Sequence, residues 1–409
     1  MLSRMKFEIE PLVAEMLDQL PEAVWSSNST TFFDPAIGGG QFVRAIEQRL
    51  RSCGHSDANI RSRVFGFEES DLHIRFAVNK YKLVGHYVRK PYEKFFELDN
   101  TMKFDVVVGN PPYQSTTDDG DKRDSAANLW PNFVVKAFNI TKDNGFIGMV
   151  TPNGWMTPSA DLGKGTSGIR IFDYMTSYRT LALNINECKK YFSEGSSFTY
   201  YVIQKTKNNS QLPTTVITET NKFNVDISSM KYCPSVFNEF SLELNNKVLG
   251  GSSPVIGFTN NNTTSGIKFG KDTSEVKTID HNVKCYHSSA NSGTFLYSSY
   301  KCSEIKKKKV MVCSSGNFLP IYDNGKLGYT NKIYVYNLES GDTLDSIESY
   351  LSSKLVQTIL NQNKTSGWVS YALRLLPKVD FSKKWTDKAI YKHFGLTQEE
   401  IDYVESNVK

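Results

Sequence analysis

The stretch FFDPAIGGGQF, residues 32–42, reads as a strand end, a glycine turn and a helix start. Phe32 and Phe33 suit a buried strand, so Thr30 to Asp34 is the first expected strand. Gly38, Gly39 and Gly40 supply a turn, and QFVRAIEQRL begins a helix. Outward from this unit the pattern repeats. RVFGFE (63–68) reads as a second strand, followed by a helix from Asp71 to Tyr81. FDVVVGN (104–110) is a strand apolar enough to be buried on both faces. Upstream, Leu12, Val13, Met16, Leu17 and Leu20 share one face of a helix over Pro11 to Leu20. Downstream come a helix from Trp130 to Asn139, a strand in GFIGMV, a helix in GIRIFDYMTS and two closing strands, LALNIN and FTYYVIQK. Short β-rich runs alternating with helical patterns predict an α/β fold with a mainly parallel sheet.

The chain has 409 residues, 39% hydrophobic and 22% charged, enough to bury cores in two domains of ordinary size. No apolar run approaches a membrane span, and MLSRMKFEIEPLV lacks the features of a signal peptide. A soluble, cytoplasmic protein is expected. Six scattered cysteines form no CxxC pair or zinc spacing, which predicts free thiols and no metal site. The net charge of +5 fits a nucleic-acid partner without requiring one. Composition turns polar near Lys205. This predicts one domain over 1–205, a linker over 206–215 and a second domain over 216–409. The second domain carries β-like runs such as KVMVCSS and KIYVYNL and a helix around Leu344 to Leu360. It ends in two short helices with Thr397 as an N-cap.

The glycine loop follows a strand and precedes a helix, where turn amides and a helix N-terminus can face a nucleotide-type cofactor. Glu68 ends the next strand, 34 residues after Asp34, and a carboxylate there can accept hydrogen bonds from both ribose hydroxyls. The glycines do not follow GxGxxG. With no pyrophosphate to cradle, the loop could instead hold the methionine part of S-adenosylmethionine. The plainer reading of three glycines is a tight turn; two carboxylates at two strand ends argue for more.

VVVGNPPYQ is the most specific signal. A buried strand ends, and Pro111 and Pro112 fix φ and remove two backbone donors. The Asn110 and Pro111 carbonyls can then point outward, and Asn110 adds a side-chain oxygen. Together they can accept both hydrogens of an –NH2 group, which favours attack by its nitrogen on a methyl sulfonium. Tyr113 offers a face on which a planar base can stack. A rigid proline turn is the competing reading.

DPAIGGGQF, GFEES and GNPPY, in that order, resemble the amino-methyltransferases of restriction–modification systems. The order, with a variable C-terminal region, is similar to their gamma class. The likeness runs through MVTPNGWM and NECKKYFSEGSSFTYYVIQK, so it covers about the first 205 residues, and FGLTQEEIDYVE is similar to tails of these enzymes. The resemblance implies a Rossmann-like methyltransferase domain with a mixed, mainly parallel seven-stranded sheet. It also implies an α+β target-recognition domain over 216–409. S-adenosylmethionine would be the cofactor, double-stranded DNA the partner, and the N6 amine of a flipped adenine the methyl acceptor. Asp34, Pro35, Ala36, Gly38, Gly40 and Phe42 would surround the cofactor, and Glu68 would bind its ribose. Asn110, Pro111 and Pro112 would form the amine-holding corner, Asn110 also bordering the cofactor, and Tyr113 would stack on the base. An aromatic before the last strand would close the base pocket: Phe192 first, Phe198 second.

Two positions depart from the pattern. The acidic residue usual near the cofactor adenine is replaced by Lys94, so Glu93 or Phe95 would have to serve. The usual N-terminal Thr-Pro survives only as Pro11. In the second domain, Lys306, Lys307, Lys308 and Lys309 could meet phosphates or protect a strand edge. Asp272, Glu275 and Lys277 loosely match a nuclease pattern that is common by chance, so restriction activity is expected on a separate endonuclease or absent. Three alternatives stay open: cytosine N4 or an RNA base as acceptor, a protein glutamine, and a non-catalytic DNA-binding subunit. Asn before the prolines favours adenine over cytosine, and the large second domain disfavours glutamine.

Overall fold

The computed structural model describes residues 10–113, 129–156, 171–185, 187–191, 198–208, 212–219, 221–230, 233–251, 254–260, 272–290, 293–299, 303–314, 316, 318–364 and 370–407. The chain divides into two compact units, 1–230 and 231–409.

The first unit opens with helices α1 (Glu10–Leu17) and α2 (Glu22–Ser26). Strand β1 (Phe32–Asp34), α3 (Gln41–Ser52), α4 (Asp57–Arg61), β2 (Val64–Glu68), α5 (Asp71–Tyr81) and β3 (His86–Arg89) follow. Then come α6 (Tyr92–Phe96), β4 (Phe104–Gly109), α7 (Trp130–Ile140), β5 (Thr141–Pro152), α8 (Ile171–Ser177) and β6 (Tyr178–Ile185). Three strands close the unit: β7 (Phe198–Lys207), β8 (Thr214–Ile217) and β9 (Lys222–Val225). One sheet holds them all, in the order β3-β2-β1-β4-β5-β7-β6-β8-β9. Strands β1 to β5 run parallel, whereas β7 lies antiparallel between β5 and β6. The fold is mixed α/β, as its alternating pattern predicts.

The sheet has nine strands where seven were expected. The extra two fall in and after the stretch read as a linker. Thr214–Ile217 pairs with β6, and Lys222–Val225 pairs with it in turn. Their outer-facing residues are polar, which hid them; Val216 is the fully buried apolar anchor of β8. The first compact unit therefore continues well past residue 205.

Val106, Val107 and Val108 are buried on β4, where both faces of the sheet are covered. Each such side chain contributes roughly 1.5–3 kcal/mol by leaving water. Leu12, Val13, Met16 and Leu17 of α1 pack into the same apolar cluster as Phe32, Val106 and Val150.

The strand order reverses beside β1: β2 and β3 lie to one side and β4 to the other. In open α/β sheets a crevice forms at the carboxyl ends of strands where the order reverses. Asp34 ends β1, Glu68 ends β2, and Asn110 follows β4.

Among the described residues the second unit has two four-stranded sheets. One joins Thr259–Asn260, Ile333–Asn337, Lys308–Cys313 and Ile321–Asn324; the other joins Thr273–Ser274, Thr294–Ser298, Val283–Ser288 and Gly328–Tyr329. The helix read over Leu344 to Leu360 is two helices, Leu344–Leu351 and Lys354–Gln362, because the Ser353 side chain caps the second. Thr397 and Glu400 form a reciprocal cap at the start of Gln398–Asn407. Among the described residues no helix is long and apolar enough to cross a membrane.

Candidate active site

The glycine loop is held by its own backbone and by Glu68. Gly38 donates its amide to Glu68 Oε2 at 2.9 Å, and the Ile37 amide reaches the Phe67 carbonyl. Gly40 caps α3 with φ +87°, and an added Cβ would stand 2.7 Å from the Cβ of Ala77. Only glycine meets both demands. Glu68 is buried and also accepts from the Ser70 amide at 3.0 Å and from His73 Nδ1 at 3.2 Å, both on Oε1. Two donors thus occupy Oε1 and one occupies Oε2. A carboxylate offers about four acceptor sites, so one remains on Oε2.

Asp34 is buried, and its Oδ1 accepts from the Ala36 amide at 3.0 Å. Burial, and to a smaller degree the nearby Glu68 charge, push its pKa up to about 8 against the Ala36 hydrogen bond. Such a carboxyl is poised to ionise when a cation arrives. Pro35 is buried; Ala36 and Gly38 are half-buried along the loop.

The end of β4 meets this loop directly. A Cβ added at Gly109 would lie 2.8 Å from Asp34 Oδ1 and 3.3 Å from Pro35 Cδ. Glycine before Asn110 is therefore what lets the Asn110–Tyr113 corner and the carboxylate loop adjoin. Asn110 is half-buried, Pro111 buried, and Pro112 and Tyr113 half-buried. The Tyr113 hydroxyl donates to Asn110 Oδ1 at 2.7 Å. Burial raises the Tyr113 pKa, so it remains a neutral donor.

Tyr113 and Phe198 come together with ring centroids 5.3 Å apart and planes at 36°. A base between two rings needs roughly 7–8 Å, two carbon contacts of about 3.5–4.0 Å each. As they stand, the two rings touch instead of flanking a slot. Phe192 lies outside the described residues.

Several expected positions are corrected. Phe95 is fully buried and stacks on Phe33 at 5.9 Å and Phe133 at 5.2 Å, so it is a core residue with no surface open to a ligand. Phe42 packs into the α1 cluster, which leaves its backbone at the start of α3 as what it can offer. Glu93 is exposed, and Lys94 pairs with Glu97 at 2.5 Å on the outside of α6. Lys309 is fully buried, with Nζ 2.6 Å from Asp323 and hydrogen-bonded to the Ile305 and Lys307 carbonyls. It cannot reach a phosphate, because its ammonium is committed inside to Asp323 and two carbonyls. Lys306, Lys307 and Lys308 are exposed.

Sequence reasoning missed two neighbours of the carboxylates, His73 and Tyr92, and one further residue of this unit, Glu15. His73 orients Glu68 from the first turn of α5. Burial, and to a smaller degree the charges of Glu68, Glu69 and Asp34, raise the pKa of Tyr92. Glu15 of α1 accepts from Tyr200 and Asn184. His73, five residues after Glu68, was the one legible signal; the others meet only through the fold. A cavity of about 550 Å³ lined by Trp25, Arg44 and Arg49 among others takes in none of the expected site residues.

Residues 68–177 match the Eco57I restriction-modification methylase family. This stretch holds Glu68 and the Asn110–Tyr113 corner. Over 72 residues the chain is 33% identical to an uncharacterized adenine-specific methylase of Mycoplasma pneumoniae; the match covers 17% of each protein. Among solved structures, the chain is similar to the type IIL restriction-modification enzyme MmeI in complex with DNA. There the identity is 12%, the coverage 98% of this chain and 70% of that one, and the TM-score 0.49. It is also similar to the M protein of the type I restriction enzyme EcoKI, at 15% identity, 53% and 48% coverage and a TM-score of 0.40.

Proposed function

We propose that the chain is a site-specific DNA methyltransferase that moves a methyl group from S-adenosylmethionine to the N6 amine of adenine. The observation that carries this is the contact of two half-sites at Gly109: the amine-accepting corner abuts the buried carboxylate loop. The match of residues 68–177 to a restriction-modification methylase family supports it.

The residues present fit S-adenosylmethionine. Asp34 is a buried carboxyl suited to a cationic methionine moiety, and Glu68 keeps one acceptor site for a ribose hydroxyl. When bound, S-adenosylmethionine supplies an electrophilic methyl group. Tyr92 is an aromatic within the field of these carboxylates. Asn110 Oδ1 and the Pro111 carbonyl accept the two amine hydrogens, which leaves the nitrogen lone pair free for in-line attack. The amine nitrogen would take that methyl group, the C–S bonding pair staying with sulfur, and the extra proton on nitrogen would leave to solvent. The Tyr113 hydroxyl already occupies one acceptor site of Asn110, and a carbonyl oxygen has a second for the amine. Tyr113 would stack on the flipped base, with Phe198 or Phe192 opposite once the rings part. The second unit would read the target sequence, with Lys306, Lys307 and Lys308 near phosphates. A separate restriction endonuclease is its expected partner.

Nucleoside analysis of DNA labelled with methyl-tritiated S-adenosylmethionine tests this. N6-methyladenine is expected; N4-methylcytosine, or no incorporation, would overturn the assignment. Two further outcomes follow. Tyr113→Ala removes a stacking face worth about 1–3 kcal/mol. DNA KM should rise accordingly, while calorimetry shows unchanged cofactor affinity; equal loss of both would count against stacking. Second, Asp34 must ionise to hold a cation. Affinity for S-adenosylmethionine should therefore climb from pH 6 to 8, by up to about tenfold per unit, and Asp34→Asn should flatten that slope. A flat parental profile would remove Asp34 from the cation site.

A further inference from the structure

We propose that Glu15, on α1, is a positioning residue that fixes the turn beside the base-stacking tyrosine. The inference rests on the reading of Tyr113 as that stacking residue.

Asn184 on β6 and Tyr200 on β7 are fully buried. Both turn their donors to one acceptor, Glu15 Oε1: Tyr200 through its hydroxyl at 2.5 Å and Asn184 through Nδ2 at 3.3 Å. The other end of the Asn184 amide is also committed, because Oδ1 accepts the Cys188 amide at 3.0 Å. Glu15 thereby selects the orientation of Asn184. A flipped amide would set oxygen against the carboxylate and N–H against N–H.

Cys188 belongs to the short 3-10 turn Glu187–Tyr191 that follows β6. Cys188, Phe198 and Tyr200 share one cluster, and Tyr113 and Tyr191 pack against it. A path of hydrogen bonds therefore runs from Glu15 through Asn184 to the turn that backs the Tyr113 ring. Glu15 touches no reacting group; it acts on the wall of the base site through Asn184 and Tyr200.

Three measurements on the full chain test this. They are hydrogen exchange of the 187–191 amides, S-adenosylmethionine affinity by calorimetry, and methylation of DNA from a host lacking adenine methylation. In Glu15→Ala the turn should exchange about tenfold faster. Its kcat/KM for DNA should fall about tenfold with cofactor affinity within about twofold. Glu15→Gln keeps an acceptor oxygen and should restore both to within about threefold of the parent. Unchanged exchange in Glu15→Ala overturns the inference, as does loss of cofactor binding that Gln fails to restore. Parental protein that leaves the DNA unmethylated would instead overturn the functional reading. Faster exchange in Glu15→Ala would then still support the placement of the turn by Glu15.

Discussion

Replacing Asn110 with alanine is expected to lower methyl transfer to DNA by about 10²–10³-fold, the usual loss when one preorganised polar group at a reacting centre is removed. Asn110 stands where β4 ends, and its Oδ1 accepts from the Tyr113 hydroxyl. Alanine takes away that oxygen and leaves the turn, because Pro111 and Pro112 still fix the backbone. The carboxylate loop is held by Gly38, Ser70 and His73 on Glu68, whereas the Asn110 side chain bonds to Tyr113. S-adenosylmethionine affinity should therefore stay within about threefold, a change of less than about 1 kcal/mol. Calorimetry and single-turnover transfer check the two halves. Loss of cofactor binding in step with transfer would mean that Asn110 serves the loop instead of the amine.

The second large effect lies in the other unit. Lys309→Met should destabilise it by about 3–5 kcal/mol, because it strands a buried carboxylate. Asp323 is almost fully buried and pairs with Lys309 at 2.6 Å. Its remaining partners are the Lys326 and Leu327 amides, at 3.0–3.2 Å. Those amides cannot replace a charge in a dry site. Adding Asp323→Asn to Lys309→Met should recover most of the loss, since it removes the stranded charge. Urea unfolding of the single and double variants measures both. A loss under about 1 kcal/mol, the range of a surface pair, would return Lys309 to the solvent-facing cluster.

Lys309 also shows where sequence reading stops. Four consecutive lysines looked alike, but Lys308, at the start of Lys308–Cys313, is exposed and Lys309 is buried. Only the strand register and the distant Asp323 distinguish them. The first unit was more legible, because its signals are local. A buried β4, a glycine turn with a positive φ and a double proline each leave a mark in adjacent residues. Strands β3, β8 and β9 left little, being short and partly polar, with β3 and β9 at the two edges of the sheet. Phe95 misled for a related reason. Its position beside Lys94 suggested a ligand contact, but the aromatic stack with Phe33 and Phe133 assembles from three separate elements. Glu15 was hidden on a helix read for its apolar face, and its partners lie 169 and 185 residues away in the chain.

Single-molecule sequencing of DNA from cells that lack adenine methylation tests the central claim most directly, with parental protein and Asn110→Ala expressed side by side. The account predicts N6-methyladenine within one recurring sequence in the parental sample and none above background in the variant. Unmodified adenine in the parental sample, or parental levels of the mark with Asn110→Ala, would contradict it.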